Sequence, residues 1–71
     1  METTNFELRG EFIELCNLLK LAGIAHSGGQ GKLMVSDGIV SVDGVIELRR
    51  TAKIRAGQTV ECLGQTIKVV Q

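Results

Sequence analysis

The chain has no proline, no tryptophan and no tyrosine, and its only aromatic residues are Phe6 and Phe12. Phe12 reads as buried, on the apolar face of a helix. Recognition of single strands by stacked bases is therefore not expected, because that mode needs exposed aromatic platforms. Cysteine is scarce as well. Cys16 and Cys62 are far apart and form neither a C-x-x-C pair nor a zinc spacing. Cys16 lies among Leu15, Leu18 and Leu19 and reads as a small core residue, in a chain taken as cytosolic and reduced. The single histidine, His26, has no serine, cysteine or carboxylate visibly paired with it. No H-x-x-x-H, paired-carboxylate or nucleophile-elbow pattern occurs. No catalytic residue, metal site or cofactor is expected, and an enzyme is the last-ranked reading. The apolar runs fall far short of the roughly 20 residues a membrane helix needs. The opening METTNFEL lacks the basic-then-apolar pattern of a signal segment.

The 71 residues that are present suffice for one domain with one small core, so the whole of 1–71 is read as a single domain. A hydrophobic content of 44% argues against disorder. Net charge is zero, from 8 basic and 8 acidic residues, which on its own counts against a nucleic-acid partner. The distribution says otherwise. Glu2, Glu7, Glu11 and Glu14 crowd the start, with Arg9 the one cation there. Arg49, Arg50, Lys53 and Arg55 follow one another with no acid between them. A phosphate senses this local potential, not the total.

The stretch Ser27–Gly44 organises the chain. Ser27 is a helix cap, and Gln30, three residues on, is placed to return a bond to the Ser27 N–H as a capping box. Leu33 and Met34 give the helix an apolar face, and Gly38 stands where a left-handed stop belongs. Ile39, Val40 and Val42 are strand-like, and Asp43-Gly44 is a strong hairpin signal. Before this stretch, Asn5–Leu8 reads as a short strand broken by Gly10. A helix over Glu11–Ala22 follows, with Phe12, Leu15, Cys16 and Leu19 on one face and Gly23 as its end. The second helix runs roughly from Gly28 to Asp37. Ile39–Val42 and Val45–Leu48 form the hairpin. A basic loop spans Arg49–Arg55. Strands at Thr59–Leu63 and Thr66–Val70 are joined by a turn at Gly64-Gln65. The expected class is α+β: two N-terminal helices packed on a small, mostly antiparallel sheet of about four short strands.

Two stretches invite a chemical reading. GQGK looks like part of a phosphate loop, but His26 stands where the first glycine belongs and Leu33 where Ser or Thr is needed. What remains is a helix N-terminus with Lys32 one turn in, able to favour a phosphate, or equally a glycine-rich turn that lets two helices pack closely. The run RRTAKIR is the stronger feature. Arg49 and Arg50 offer forked contacts to phosphate, with Lys53 and Arg55 beside them. Phosphate-backbone binding ranks ahead of a merely solvated loop, and the lack of rings favours structured RNA. Lys20, near the end of the first helix, suits the helix dipole and a phosphate alike.

At this point the chain resembles a known family. Leu19-Lys20-Leu21-Ala22-Gly23, Ser27, Gly38-Ile39-Val40-Ser41-Val42-Asp43-Gly44, Arg49-Arg50 and Lys53-Ile54-Arg55-Ala56-Gly57-Gln58-Thr59-Val60 stand in the order of the RNA-binding domain named after small-subunit ribosomal protein S-four, the alpha-L motif. The match covers about residues 11–63. The SGGQGK version looks like the small stand-alone bacterial members. The resemblance implies RNA binding, often to ribosomal or transfer RNA, by the two-helix surface and the basic loop. Two usual cations are absent. The Arg-Leu-Asp that opens the first helix in many members is Ile13-Glu14-Leu15 here, and Gly28 follows Ser27 where Arg or Lys is common. Weight shifts to Lys20, Lys32 and the loop. The expected RNA-contacting set is Lys20, Ser27, Gly28, Gly29, Gln30, Lys32, Arg49, Arg50, Lys53 and Arg55, in a monomer acting in ribosome assembly or translation. A protein-interaction adaptor is the alternative, motivated by the neutral total and the missing cations.

Overall fold

The computed structural model describes residues 2–71. Its elements are β1 (Glu2–Glu7), β2 (Ile13–Glu14), α1 (Leu15–Leu21), α2 (Gly28–Ser36), β3 (Val40–Val42), β4 (Val45–Ile46), β5 (Lys53–Ile54), β6 (Thr59–Cys62) and β7 (Gln65–Val70). The class is α+β, as expected, with two helices and a mostly antiparallel sheet. The sheet has five strands, not about four, in the order β1-β7-β6-β3-β4. The helices are not N-terminal. A six-residue strand precedes them and runs parallel to β7, with Phe6 opposite Val69. A separate two-stranded sheet pairs β2 with β5.

That small sheet shortens the first helix. Ile13 and Glu14 pair with Ile54 and Lys53, so the segment before Leu15 is extended and not the helical turn expected from Glu11. Two backbone bonds then start α1: Leu15 N–H donates to the Ala52 carbonyl at 2.9 Å and Cys16 N–H to the Arg50 carbonyl at 3.2 Å. These satisfy N–H groups that Glu14, which makes no side-chain cap, leaves open. The basic loop therefore caps α1 through its backbone. Phe12 falls outside the helix and is 37% exposed, contrary to its expected burial.

Leu15, Leu18 and Leu19 are fully buried and pack with Val35, Val40, Val60 and Ile67 in one core. Each such leucine contributes about 2 kcal/mol relative to an exposed one. Cys16 and Cys62 are free and buried. Burial pushes the Cys62 thiol pKa up. Gly31 explains the close approach of the two helices. A Cβ there would lie 2.7 Å from the Cys16 carbonyl oxygen. Met34 is buried as expected, but Leu33 is 66% exposed and does not share the core face.

The capping at Ser27 holds in part. Gln30 N–H donates to Ser27 Oγ at 3.1 Å. The return bond reaches one residue further back, from His26 N–H to Gln30 Oε1. Gly38 ends the α2 segment at φ +76°. Asp43 and Gly44 both have positive φ and make a two-residue turn between Val42 and Val45. The Asp43 carboxylate accepts from Thr59 N–H at 3.0 Å, which ties this hairpin to the start of β6.

Candidate nucleic-acid interface

The loop after β4 is held in place along its length. Ala52 N–H donates to the Arg49 carbonyl at 3.2 Å, which closes a turn over residues 49–52. The carbonyls of Arg50 and Ala52 face α1, and Ala52 is buried. Arg49, Arg50 and Thr51 are left exposed. Lys32 approaches from α2. Between them lies an open groove of about 780 Å³ lined by Lys32, Leu48, Arg49, Arg50, Thr51 and Lys53, with Ala52 at its base. Four cations from α2, the loop and β5 meet there, and no lining residue is acidic.

The four are not equivalent. Arg49 is forked onto Glu47, with Nη2 2.9 Å from Oε1 and Nε 3.1 Å from Oε2. These bonds hold the Glu47 carboxyl down at about 2 and raise the Arg49 pKa. Glu47 thus removes part of the Arg49 charge from the groove. Among the described residues, Lys32, Arg50 and Lys53 have no acidic partner within ion-pair distance. These three carry the free charge.

The other expected site residues lie outside this lining. Arg55 Nη1 is 3.4 Å from the Glu11 carbonyl, and its Cζ is 5.8 Å from the Phe12 ring centre. Lys53 Nζ is 4.9 Å from the same centre, so Lys53 belongs both to the groove and to this aromatic contact. Lys20 sits exposed in the last turn of α1. Gly28 and Gly29 open α2, and their N–H groups have no protein acceptor among the described residues. Ser27 Oγ and Gln30 Oε1 are already used as acceptors, which leaves the Gln30 amide N–H groups as its free donors. Sequence reasoning missed Leu48, Thr51, Glu47 and Phe12. Glu47 alone had a signal, an acid two residues before Arg49. Among the described residues there is no cluster of metal-ligand side chains, and no helix is long and apolar enough to cross a membrane.

Two helices docked through a glycine contact, a β-hairpin and a pinned basic loop between them make the arrangement of the alpha-L motif. The chain belongs to the S4 domain family, whose model matches residues 6–70. It is similar to YbcJ of Escherichia coli strain K12, named as a putative RNA-binding protein, with 50% identity over 58 residues covering 82% of this chain and 83% of that one. YbcJ of Shigella flexneri matches with the same identity and coverage, 50% over 58 residues. The solution structure of the Escherichia coli protein superposes with a TM-score of 0.70 at 44% identity, over 100% of this chain and 89% of that one. That structure is described as revealing an alpha-L motif involved in RNA binding.

Proposed function

We propose that this protein is an RNA-binding module that holds structured RNA through phosphate and sugar contacts. The observation that carries the reading is the acid-free groove in which Lys32, Arg49, Arg50 and Lys53 converge. The description of the similar Escherichia coli structure as an RNA-binding motif supports it. Arg50 presents a planar fork to a phosphate, and Lys32 and Lys53 act as point charges on either side. Lys20, Ser27, Gly28, Gly29, Gln30 and Arg55 extend the footprint over the helix pair and beyond Lys53. Gly28 and Gly29 offer backbone N–H groups at the N-terminus of α2, where the dipole favours an anion. The unit 1–71 acts as a monomer in the cytoplasm, on ribosomal or transfer RNA during assembly or translation.

The test reverses one cation on each side of the groove. Lys32→Glu with Arg50→Glu lowers affinity for ribosomal and transfer RNA alike and leaves the melting temperature unchanged, since both side chains are exposed. Undiminished binding by this variant would remove the groove from the account. The adaptor reading has one observation of its own: Leu33, Val45, Ile46 and Leu48 are all more than half exposed. A protein partner that stays bound after nuclease treatment would favour it.

A further inference from the structure

Beyond Lys53 lies a second concavity, of about 350 Å³. Its walls are apolar: Phe6, Phe12, Ile13 and Leu21. Its polar residues are one acid and one base, Glu7 and Arg9. Phe12 and Leu21 are 37% and 62% exposed, so apolar surface is left open to water in a chain with a small core. The Phe12 ring is fixed from outside by two cations. Lys53 Nζ lies 4.9 Å and Arg55 Cζ 5.8 Å from its centre. Lys53 on β5 and Arg55, the residue just past its end, are both exposed while Ile54 between them is buried. Neither cation lines the pocket, so its interior is left to Phe12 and its apolar neighbours.

We infer that this pocket receives one unpaired nucleobase of the RNA bound in the groove, stacked against Phe12 and Leu21 with its phosphate on Lys53 and Arg55. The inference rests on the groove reading and adds a specificity element to it. An unpaired nucleotide has a flat, uncharged ring beside a charged phosphate. The pocket, with balanced charge and apolar walls, suits the ring and not the phosphate. The rim, with two cations and no acid within ion-pair distance among the described residues, suits the phosphate. Lys53 is common to both places. A strand lying along the groove therefore passes the mouth of the pocket. The preferred RNA is a helix interrupted by a bulged or looped-out nucleotide, where a base is free without unpairing a helix.

The experiment compares two synthetic RNA hairpins, one fully paired and one with a single bulged nucleotide, bound to the full chain. The bulged hairpin binds about tenfold more tightly. Phe12→Ala lowers affinity for the bulged hairpin about tenfold more than for the paired one and so removes that preference, while Phe12→Trp keeps it. Leu21→Glu, at a position too exposed to endanger folding, also removes the preference. In the wild-type complex, base protons of the bulged nucleotide show NMR contacts to Phe12 and Leu21. Equal binding of the two hairpins, or an equal loss for both in the Phe12→Ala variant, overturns the pocket and leaves the groove standing. No binding of either hairpin at low salt overturns both.

Discussion

Gly31 does its work by what it lacks. The carbonyl of Cys16 fills the place of its missing side chain, at 2.7 Å from a hypothetical Cβ. Backbone cannot yield there as a flexible side chain would. Gly31→Ala must part the two helices, at a cost of about 1–3 kcal/mol. Its melting temperature falls by at least about 4 °C, and an unchanged value would contradict the close approach. In SGGQGK, then, the third glycine serves packing, while a Cβ at Gly28 or Gly29 would make only ordinary contacts, 3.7 Å from Asn17 Oδ1 and 3.8 Å from Ser27 Oγ. The glycine-rich sequence showed that a close approach or a ligand was in play. It did not show which glycine served which, because that depends on how α2 is rotated against α1. The Glu47–Arg49 pair is linked to pH. The carboxyl pKa is lowered from 4.5 to about 2, first by the side-chain hydrogen bond from Arg49. A carboxyl lowered on folding stabilises the native state above its unfolded pKa. That contribution fades as pH falls from 4.5 toward 2. Side-chain NMR titration of Glu47 should give a midpoint near 2, and a midpoint near 4.5 would contradict the pairing. Glu47→Gln releases Arg49 and tightens RNA binding at low salt.

At the scale of elements, the hairpins show how local signals succeed and slip. Asp43-Gly44 turned where read, since both residues tolerate positive φ. The last turn was read at Gly64-Gln65, but Cys62 pairs with Gln65 and the turn is Leu63-Gly64. Leucine at φ +52° is uncommon, so nothing in its type pointed to a turn position. The β6–β7 register, which pairs Cys62 with Gln65 and puts Ile67 and Val69 together on the buried face, imposes it. Leu63 is 67% exposed, so it has little packing to lose. Leu63→Asn relieves the strain and stabilises the fold by about 0.5–1 kcal/mol, read as a higher denaturant midpoint. A lower midpoint would mean that the Leu63 side chain supports the fold. The first helix was read a turn too long for a different reason. Phe12 and Ile13 fit a helical face by spacing, but Ile13 finds Ile54 on a strand 41 positions away along the chain. Non-local pairing of that kind has no local signature, and the parallel pairing of β1 with β7 has none either.

For the molecule as a whole, zero net charge concealed a partial separation, since Glu14 pairs in strand register with Lys53 beside the basic loop while Glu2 and Glu7 lie on the edge strand β1. The sheet order puts β1, with Glu2 and Glu7, at one edge and β4, which feeds the basic loop, at the other. Four strand spacings separate those edges by roughly 20 Å. The run Arg49–Arg55 was legible because it is continuous in sequence. The part Lys32 plays was legible only as a helix-start cation, and its place across the groove from Arg50 follows from the helix packing set by Gly31. The removal of Arg55 from the groove to the Phe12 contact follows from the β2–β5 pairing, which sequence did not reveal.

On the proposed reading, the cationic groove holds the RNA phosphate. The most direct measurement is the affinity for ribosomal RNA across a salt series, for the wild type and for Lys32→Glu with Arg50→Glu. Phosphate contacts from the three free cations Lys32, Arg50 and Lys53 predict a slope of log K against log salt of about −3, made shallower by about two in the variant. A slope that the variant leaves unchanged would place the RNA elsewhere on the molecule and contradict the account.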